Sequence, residues 1–462
     1  MIRIPQAESK TYGVVGLGKS GRATVASLLA SGAKVVAWDD GEASRAAALK
    51  EFPGIVISPV EEWNYTALAA VVMSPGIFLT HPAVLAAKRH HIEVIGDVEL
   101  LYRAQPQARY ICITGTNGKS TTTTLIAHVL KACGKQVEVG GNLGTPALAL
   151  APLTAEGIYV LELSSYQLDL VHTTHFTTAL LLNISPDHLD HHGSMEQYID
   201  AKRHIFDRME AEDVAIVGID DATSEIICRT MLDEKVQRVI PISVTQTAGN
   251  GIYVKHGILT NKLDGVEADI SDITSLRGEH NWQNAAAAYA ACLVNGCAHE
   301  DIIRAMHTYP GLAHRMEFLG SINGVQFVND SKATNADAAE KALKTYDDIY
   351  WIIGGVAKAG GIEPLAKYFP KVRHAYTIGE AAHDFEQTLT GHVAVTHCAT
   401  LEKAFAAASA DAMKAGAAPA VVLLSPACAS FDQFANFEVR GQAFVKLFDA
   451  LNTGGTHGAA TA

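Results

Sequence analysis

The chain has 462 residues, too many for one core and enough for about three domains. Hydrophobic residues make up 48% and charged ones 18%; the formal net charge of −13 argues against a nucleic-acid-binding surface but not against anionic ligands held by local loops. Residues 1–10 are polar and lack a signal peptide's apolar core, and no run approaches the roughly 18 apolar residues of a membrane span. The seven Cys are scattered without a Cys-x-x-Cys pair, which reads as buried free thiols in a reducing cytoplasm.

In chain order, an apolar strand at Tyr12-Gly13-Val14-Val15 opens into Gly16-Leu17-Gly18-Lys19-Ser20-Gly21, with an Ala-rich helical run over 23–31. A second strand, 35–38, ends at Asp39, and a third, 69–73, ends in Ser74-Pro75-Gly76-Ile77. Alternating strands and helices predict a doubly wound parallel sheet closing near Asp97. The glycine turn with an acid at the end of the next strand fits a Rossmann-type fingerprint. It places a diphosphate at a helix N-terminus; NAD and a UDP-sugar both satisfy it.

The second opening is sharper. Behind Tyr110-Ile111-Cys112-Ile113 stands Gly115-Thr116-Asn117-Gly118-Lys119-Ser120-Thr121. Its glycines let backbone N–H groups approach phosphate, Lys119 adds a charge, and Ser120 can ligate Mg²⁺. The loop is two residues shorter than the usual Gly-x-x-x-x-Gly-Lys-Ser. Glu162 ends the apolar strand 157–162, where a carboxylate beside such a loop can hold Mg²⁺; a strand-end capping Glu is the bland alternative. The strand 178–183 ends in a His-rich loop in which His188 is a candidate metal ligand or substrate contact, and His191 and His192 read as solvated. An amphipathic helix over 198–206 carries Lys202, by periodicity an ordinary helix lysine. Short alternating runs between 214 and 276 predict antiparallel strands, and a long Ala-rich helix spans 280–294. From Leu312 an alternating α/β pattern returns. The tail 452–462 is Gly/Ala/Thr-rich and is expected to be disordered.

Eight segments, in one order over nearly the whole chain, resemble the Mur ligases of peptidoglycan synthesis: 115–121, 140–144, 161–168, 183–189, 278–281, 311–317, 329–335 and 424–434. The last, Leu424-Ser425-Pro426-Ala427-Cys428-Ala429-Ser430-Phe431-Asp432-Gln433-Phe434, is nearest to the D-glutamate-adding kind. The resemblance implies an α/β chain of three domains. These are a Rossmann-like UDP-binding domain (1–97), a central phosphate-loop ATPase-like domain with a parallel sheet plus a small antiparallel sheet (98–311), and a Rossmann-like D-glutamate domain (312–462).

It also implies roles. ATP and Mg²⁺ would be held by Gly115, Thr116, Asn117, Gly118, Lys119, Ser120 and Thr121, with Asn281, Arg315, Asp330 and Lys332 reaching ATP. Ser120, Glu162, His188 and Lys202 would serve two Mg²⁺ ions, Lys202 as a carbamate formed from CO₂. Lys119, His188 and Lys202 would be catalytic. UDP-N-acetylmuramoyl-L-alanine would meet Gly16, Leu17, Gly18, Asp39, Gly76, Asn142, Ser164, Gln167 and His188. D-glutamate would meet Thr334, Lys358, Ser430 and Phe437. A cytoplasmic monomer, without nucleic acid or membrane span, completes what is implied.

Two positions depart from the family pattern. Asp40-Gly41 follow Asp39 where Thr-Arg would touch uracil, and Val356 stands where an ATP-site acid is common. Other amino-acid-adding or folylpolyglutamate-type ligases remain open. So does a phosphate-loop switch with a ligand-sensing domain; an NAD oxidoreductase would leave the Lys119 loop and the C-terminal unit unexplained.

Overall fold

The computed structural model describes residues 1–357, 360–416 and 420–456. The strands form three sheets, and the chain divides into two compact units. The first unit comprises Met1–Asp272 and Glu279–Tyr309; the second comprises Ile273–Gly278 and the chain from Pro310 onward.

The first unit holds two sheets. Strands β1 (Thr11–Val15), β2 (Lys34–Trp38), β3 (Val56–Ile57), β4 (Leu68–Met73) and β5 (Val94–Ile95) lie in the order β3-β2-β1-β4-β5, all parallel. The apolar runs of β1 and β4 are buried because helices cover both faces of a parallel sheet. The helix Asp97–Ala104 then leads into the next sheet. Its buried Glu99 accepts from the main-chain N–H groups of His172 and Thr173 and from the Thr173 and Thr174 hydroxyls. Burial alone would raise that carboxyl; the Thr173 hydroxyl and the surrounding donors instead hold it down at about 2.

The second sheet runs β6 (Arg109–Thr114), β7 (Val137–Gly141), β8 (Ile158–Glu162), β9 (Thr178–Leu181), β10 (Val214–Gly218), β11 (Arg238–Ser243), β12 (Ile252–Lys255), β13 (Ile258–Asn261) and β14 (Val266–Asp269). In space the order is β14-β13-β12-β11-β10-β9-β6-β8-β7. Of the runs expected to be antiparallel, only β12, β13 and β14 pair that way. They extend the parallel sheet through β11 and form no separate layer. Strand β6 sits between β9 and β8, so the loop that follows it opens at an interior strand end.

In the second unit β15 (Glu317–Ile322), β16 (Val325–Asn329), β17 (Ile349–Gly354), β18 (Val372–Ile378), β19 (Ala394–Ala399) and β20 (Val421–Leu424) take the order β15-β16-β20-β17-β18-β19. Only β15 is antiparallel to its neighbour. The final helix is Phe437–Thr456. Disorder expected from residue 452 is thus corrected for 452–456, which continue a helix whose Phe444 and Phe448 are anchored in the core; 457–462 lie outside the described residues. Among the described residues no helix is long and apolar enough to cross a membrane. The cysteines are free, and all but Cys133 are buried.

Candidate functional site

Strand β6 runs directly into the glycine turn, and the helix Lys119–Ala132 starts from it without a side-chain cap. Gly118 has φ of 86°, and a Cβ there would strike Asn284 Oδ1. The loop is braced from behind by Asn183. Thr116 N donates to its carbonyl (2.9 Å) and Asn117 N to its Oδ1 (2.8 Å). The Thr116 hydroxyl bonds Ser185 O and Tyr198 Oη, both at 3.0 Å. Thr116 and Asn117 therefore shape the turn, and the first turn of the uncapped helix presents its N–H groups.

Two lysines meet on one oxygen. Lys119 Nζ donates to Gly115 O at 2.8 Å, and Lys202 Nζ donates to the same carbonyl at 2.9 Å. Lys202 is 2% exposed, on the helix Met195–Arg203 with its amine over the Tyr198 ring. Burial first, and then the nearby Lys119 charge, lower its pKa to about 7. The ordinary helix lysine of the periodicity is in fact a buried amine.

Glu162 ends β8 and is 3% exposed. Asn142 Nδ2 donates to its Oε1 (2.9 Å), while its Oε2 has no hydrogen-bond partner among the described residues. Ser164 and Gln167 form a capping box on the short helix Ser165–Leu168. Gln167 is buried with its Oε1 on Ser164 N and Oγ, so it holds Ser164 in place. His188, at φ 53°, is about half exposed against Tyr166, with ring centroids 5.2 Å apart. The expectation that His191 and His192 are solvated is corrected. His192 is buried with Nε2 2.8 Å from Ser165 Oγ, and His191 stacks on Phe78 at 4.5 Å. The Tyr166 ring packs against both, leaving His192 buried and His191 partly so.

A cleft of about 310 Å³ joins the first two sheets' loops and is lined by Gly18, Lys19, Ser20, Ser74, Asn142 and Gly144, among others. It unites Gly18 with Asn142; Gly16, Leu17, Asp39 and Gly76 do not line it. Lys19 Nζ donates to Gly144 O. The Asp39 carboxylate accepts from Leu17 N of the glycine turn (2.6 Å) and from Gly41 N of its own turn (2.8 Å). Beside it Arg45 stacks on Trp38 at 4.4 Å and donates to Asp39 O.

In the second unit Asp330 is 4% exposed and accepts from Ser425 Oγ (2.8 Å) and Met316 N (3.1 Å); burial pushes its carboxyl up to about 7. Lys332 Nζ lies 5.6 Å over the Phe437 ring, and Thr334 N donates to Lys332 O. Ser430 is buried. Val356, in the place of the expected acid, pairs with Ala429. Lys358 lies outside the described residues.

Three family models cover most of the chain: the Mur ligase MurD-like N-terminal domain over 10–96, the Mur ligase middle domain over 113–292, and the Mur ligase glutamate ligase domain over 314–428. A Paramagnetospirillum magneticum protein named UDP-N-acetylmuramoylalanine–D-glutamate ligase is 50% identical over 98% of this chain and 100% of its own. The chain belongs to the Mur ligase family. A Caulobacter vibrioides protein of the same name is 47% identical over 98% of this chain and 99% of its own. The Mur ligase fold is shared with the UDP-N-acetylmuramate–alanine ligase structure from Thermotoga maritima, at 16% identity and TM-score 0.58, covering 96% of this chain and 99% of that one.

Sequence reasoning gave no role to two residues that shape this Mur ligase. Asn183 was visible only as a strand-end Asn, yet it ties the phosphate loop to Gln283. Arg440 carried no local signal, standing in an ordinary helical run, yet it is 1% exposed at the centre of the C-terminal loops.

Proposed function

We propose that this chain is the ATP-dependent ligase that joins D-glutamate to UDP-N-acetylmuramoyl-L-alanine in peptidoglycan precursor synthesis. The 50% identity to a ligase of that name along the full length carries the reading. The local chemistry supports it. A carboxylate and an amine do not condense in neutral water. Phosphorylation of the L-alanyl carboxylate by ATP creates a leaving group, and attack by the D-glutamate amine forms the amide and releases phosphate. The uncapped helix start and Lys119 answer the need to stabilise charge spreading over the transferred phosphoryl group.

Mg²⁺ fits the residues present. Among the described residues the buried Glu162 Oε2 has no hydrogen-bond partner, as expected of an oxygen reserved for a cation. Among the described residues no three His, Cys, Asp or Glu gather as a metal cage, and Mg²⁺ characteristically takes one or two carboxylates, with phosphates and water completing its shell. In this reading Glu162, Ser120, His188 and a carbamylated Lys202 serve two ions, which neutralise phosphate charge. The neutral fraction of Lys202 is what CO₂ requires, and a carbamate would replace the second of two amines crowded on Gly115 O. The cleft at Gly18 and Asn142 takes the UDP-substrate. Thr334, Lys358, Ser430 and Phe437 take D-glutamate, and Asn281, Arg315, Asp330 and Lys332 take ATP.

Phosphate release from ATP with UDP-N-acetylmuramoyl-L-alanine and each candidate amino acid tests the assignment. Release is expected with D-glutamate. Release only with L-alanine, a diamino acid or a dipeptide would reassign the chain within the family, and undiminished release with no amino acid would favour a switch ATPase.

A further inference from the structure

The guanidinium of Arg440 lies where three neighbouring parallel strands end. Nε donates to Ser331 Oγ (2.9 Å), Nη2 to Ser331 O (2.8 Å) and Cys428 O (3.0 Å), and Nη1 to Ala429 O at 3.4 Å. Ser331 follows β16, and Cys428 and Ala429 follow β20. Gly355 follows β17, and a Cβ placed on it would come within 3.3 Å of Arg440 Nη1. One side chain from the last helix thus pins the loops after β16 and β20 and lies beside the loop after β17, at the carboxyl ends of the strands, where open α/β folds bind ligands.

Its partners are main-chain carbonyls and a hydroxyl. Among the described residues no carboxylate forms an ion pair with it, although a buried cation is ordinarily matched by an anion. The acid that acts on it is Asp432, whose Oδ2 is engaged by Glu380 N at 3.1 Å. Burial lowers the guanidinium pKa only to about 10, so the charge persists at neutral pH. The loops it pins carry Ser430 and lead into Lys332 and Thr334, and Phe437 opens its own helix, with Ser331 Oγ donating to Phe437 O.

We propose that Arg440 is the positioning and charge-setting residue of the amino-acid pocket: it fixes the loops after β16 and β20 beside that of β17, and its charge, matched by no ion pair among the described residues, favours a dicarboxylic over a neutral amino acid. This presupposes the D-glutamate reading, and wild-type phosphate release with D-glutamate tests that first. A wild type inactive with D-glutamate sinks the reading itself, whatever the variants do.

Arg440→Lys and Arg440→Met both lose the fork of hydrogen bonds, but only the first keeps a charge. The KM for D-glutamate should be about tenfold higher in Arg440→Met than in Arg440→Lys, with the KM for ATP within about twofold in both. Asp432→Asn, which keeps an acceptor for Glu380 N and needs no core rearrangement, should lower the KM for D-glutamate about twofold. Equal D-glutamate KM values in the Lys and Met variants, a matching rise in the KM for ATP, or an unchanged KM in Asp432→Asn would overturn the proposal and leave Arg440 a scaffold residue.

Discussion

Two of the chain's glycine turns between a parallel strand and a helix, those at 115–120 and 16–21, solve different problems. At 115–120 the protein itself demands the glycine: Gly118 is left-handed and faces Asn284. Two lysines converge on Gly115 O, and Asn183 braces the turn from the next strand end. At 16–21 the protein also demands glycine, at Gly16, left-handed and facing Ser74, and at Gly21, where a Cβ would strike Gly16 O; a Cβ on Gly18, by contrast, would meet nothing, and Gly18 lines the cleft. No buried cation stands there; Lys19, at the helix start, is exposed. In the proposed reading the first turn would stabilise charge that moves during reaction, and the second would let a backbone approach charge that stays put.

If that contrast holds, the largest effect belongs to the first turn. Lys119→Ala should lower kcat by about 10²–10³-fold at saturating ATP. A change confined to the KM for ATP would mean that Lys119 only docks the nucleotide and would erase the distinction. Next, Lys202→Ala should lose about 10–100-fold in activity, partly restored by short carboxylic acids that stand in for a carbamate. Full activity in this variant would show that the buried amine is only packing. The smallest effect is expected at the second turn. Gly18→Val should raise the KM for the UDP-substrate about tenfold, a loss of roughly 1.4 kcal/mol, with the KM for ATP and the melting temperature nearly unchanged. Calorimetry would sharpen this: tight NAD binding without UDP-substrate binding would overturn the role given to the second turn.

Much of this was legible before any coordinates. The strand–turn–helix openings at Gly16 and Gly115 announced two doubly wound sheets, because apolar runs and glycine spacing are local properties. The acid at the end of β8 was legible for the same reason. The sequence misled where a residue's environment is made elsewhere. His191 and His192 look like a solvated loop, but Tyr166 packs on both and His192 is buried, while His191 stacks on Phe78 and stays partly exposed.

The amino-acid sequence by itself determined the fold class and, through the order of eight segments, the family. Local dihedral preferences and side-chain periodicity act over a few residues, so they can be read from a string. Only the tertiary structure decided which polar groups are buried and what they face. Lys202 meets Gly115 O across 87 positions and Arg440 meets Ser331 across 109. Their altered proton affinities and unmatched charge come from desolvation and neighbours brought together by packing, which no window along the chain contains.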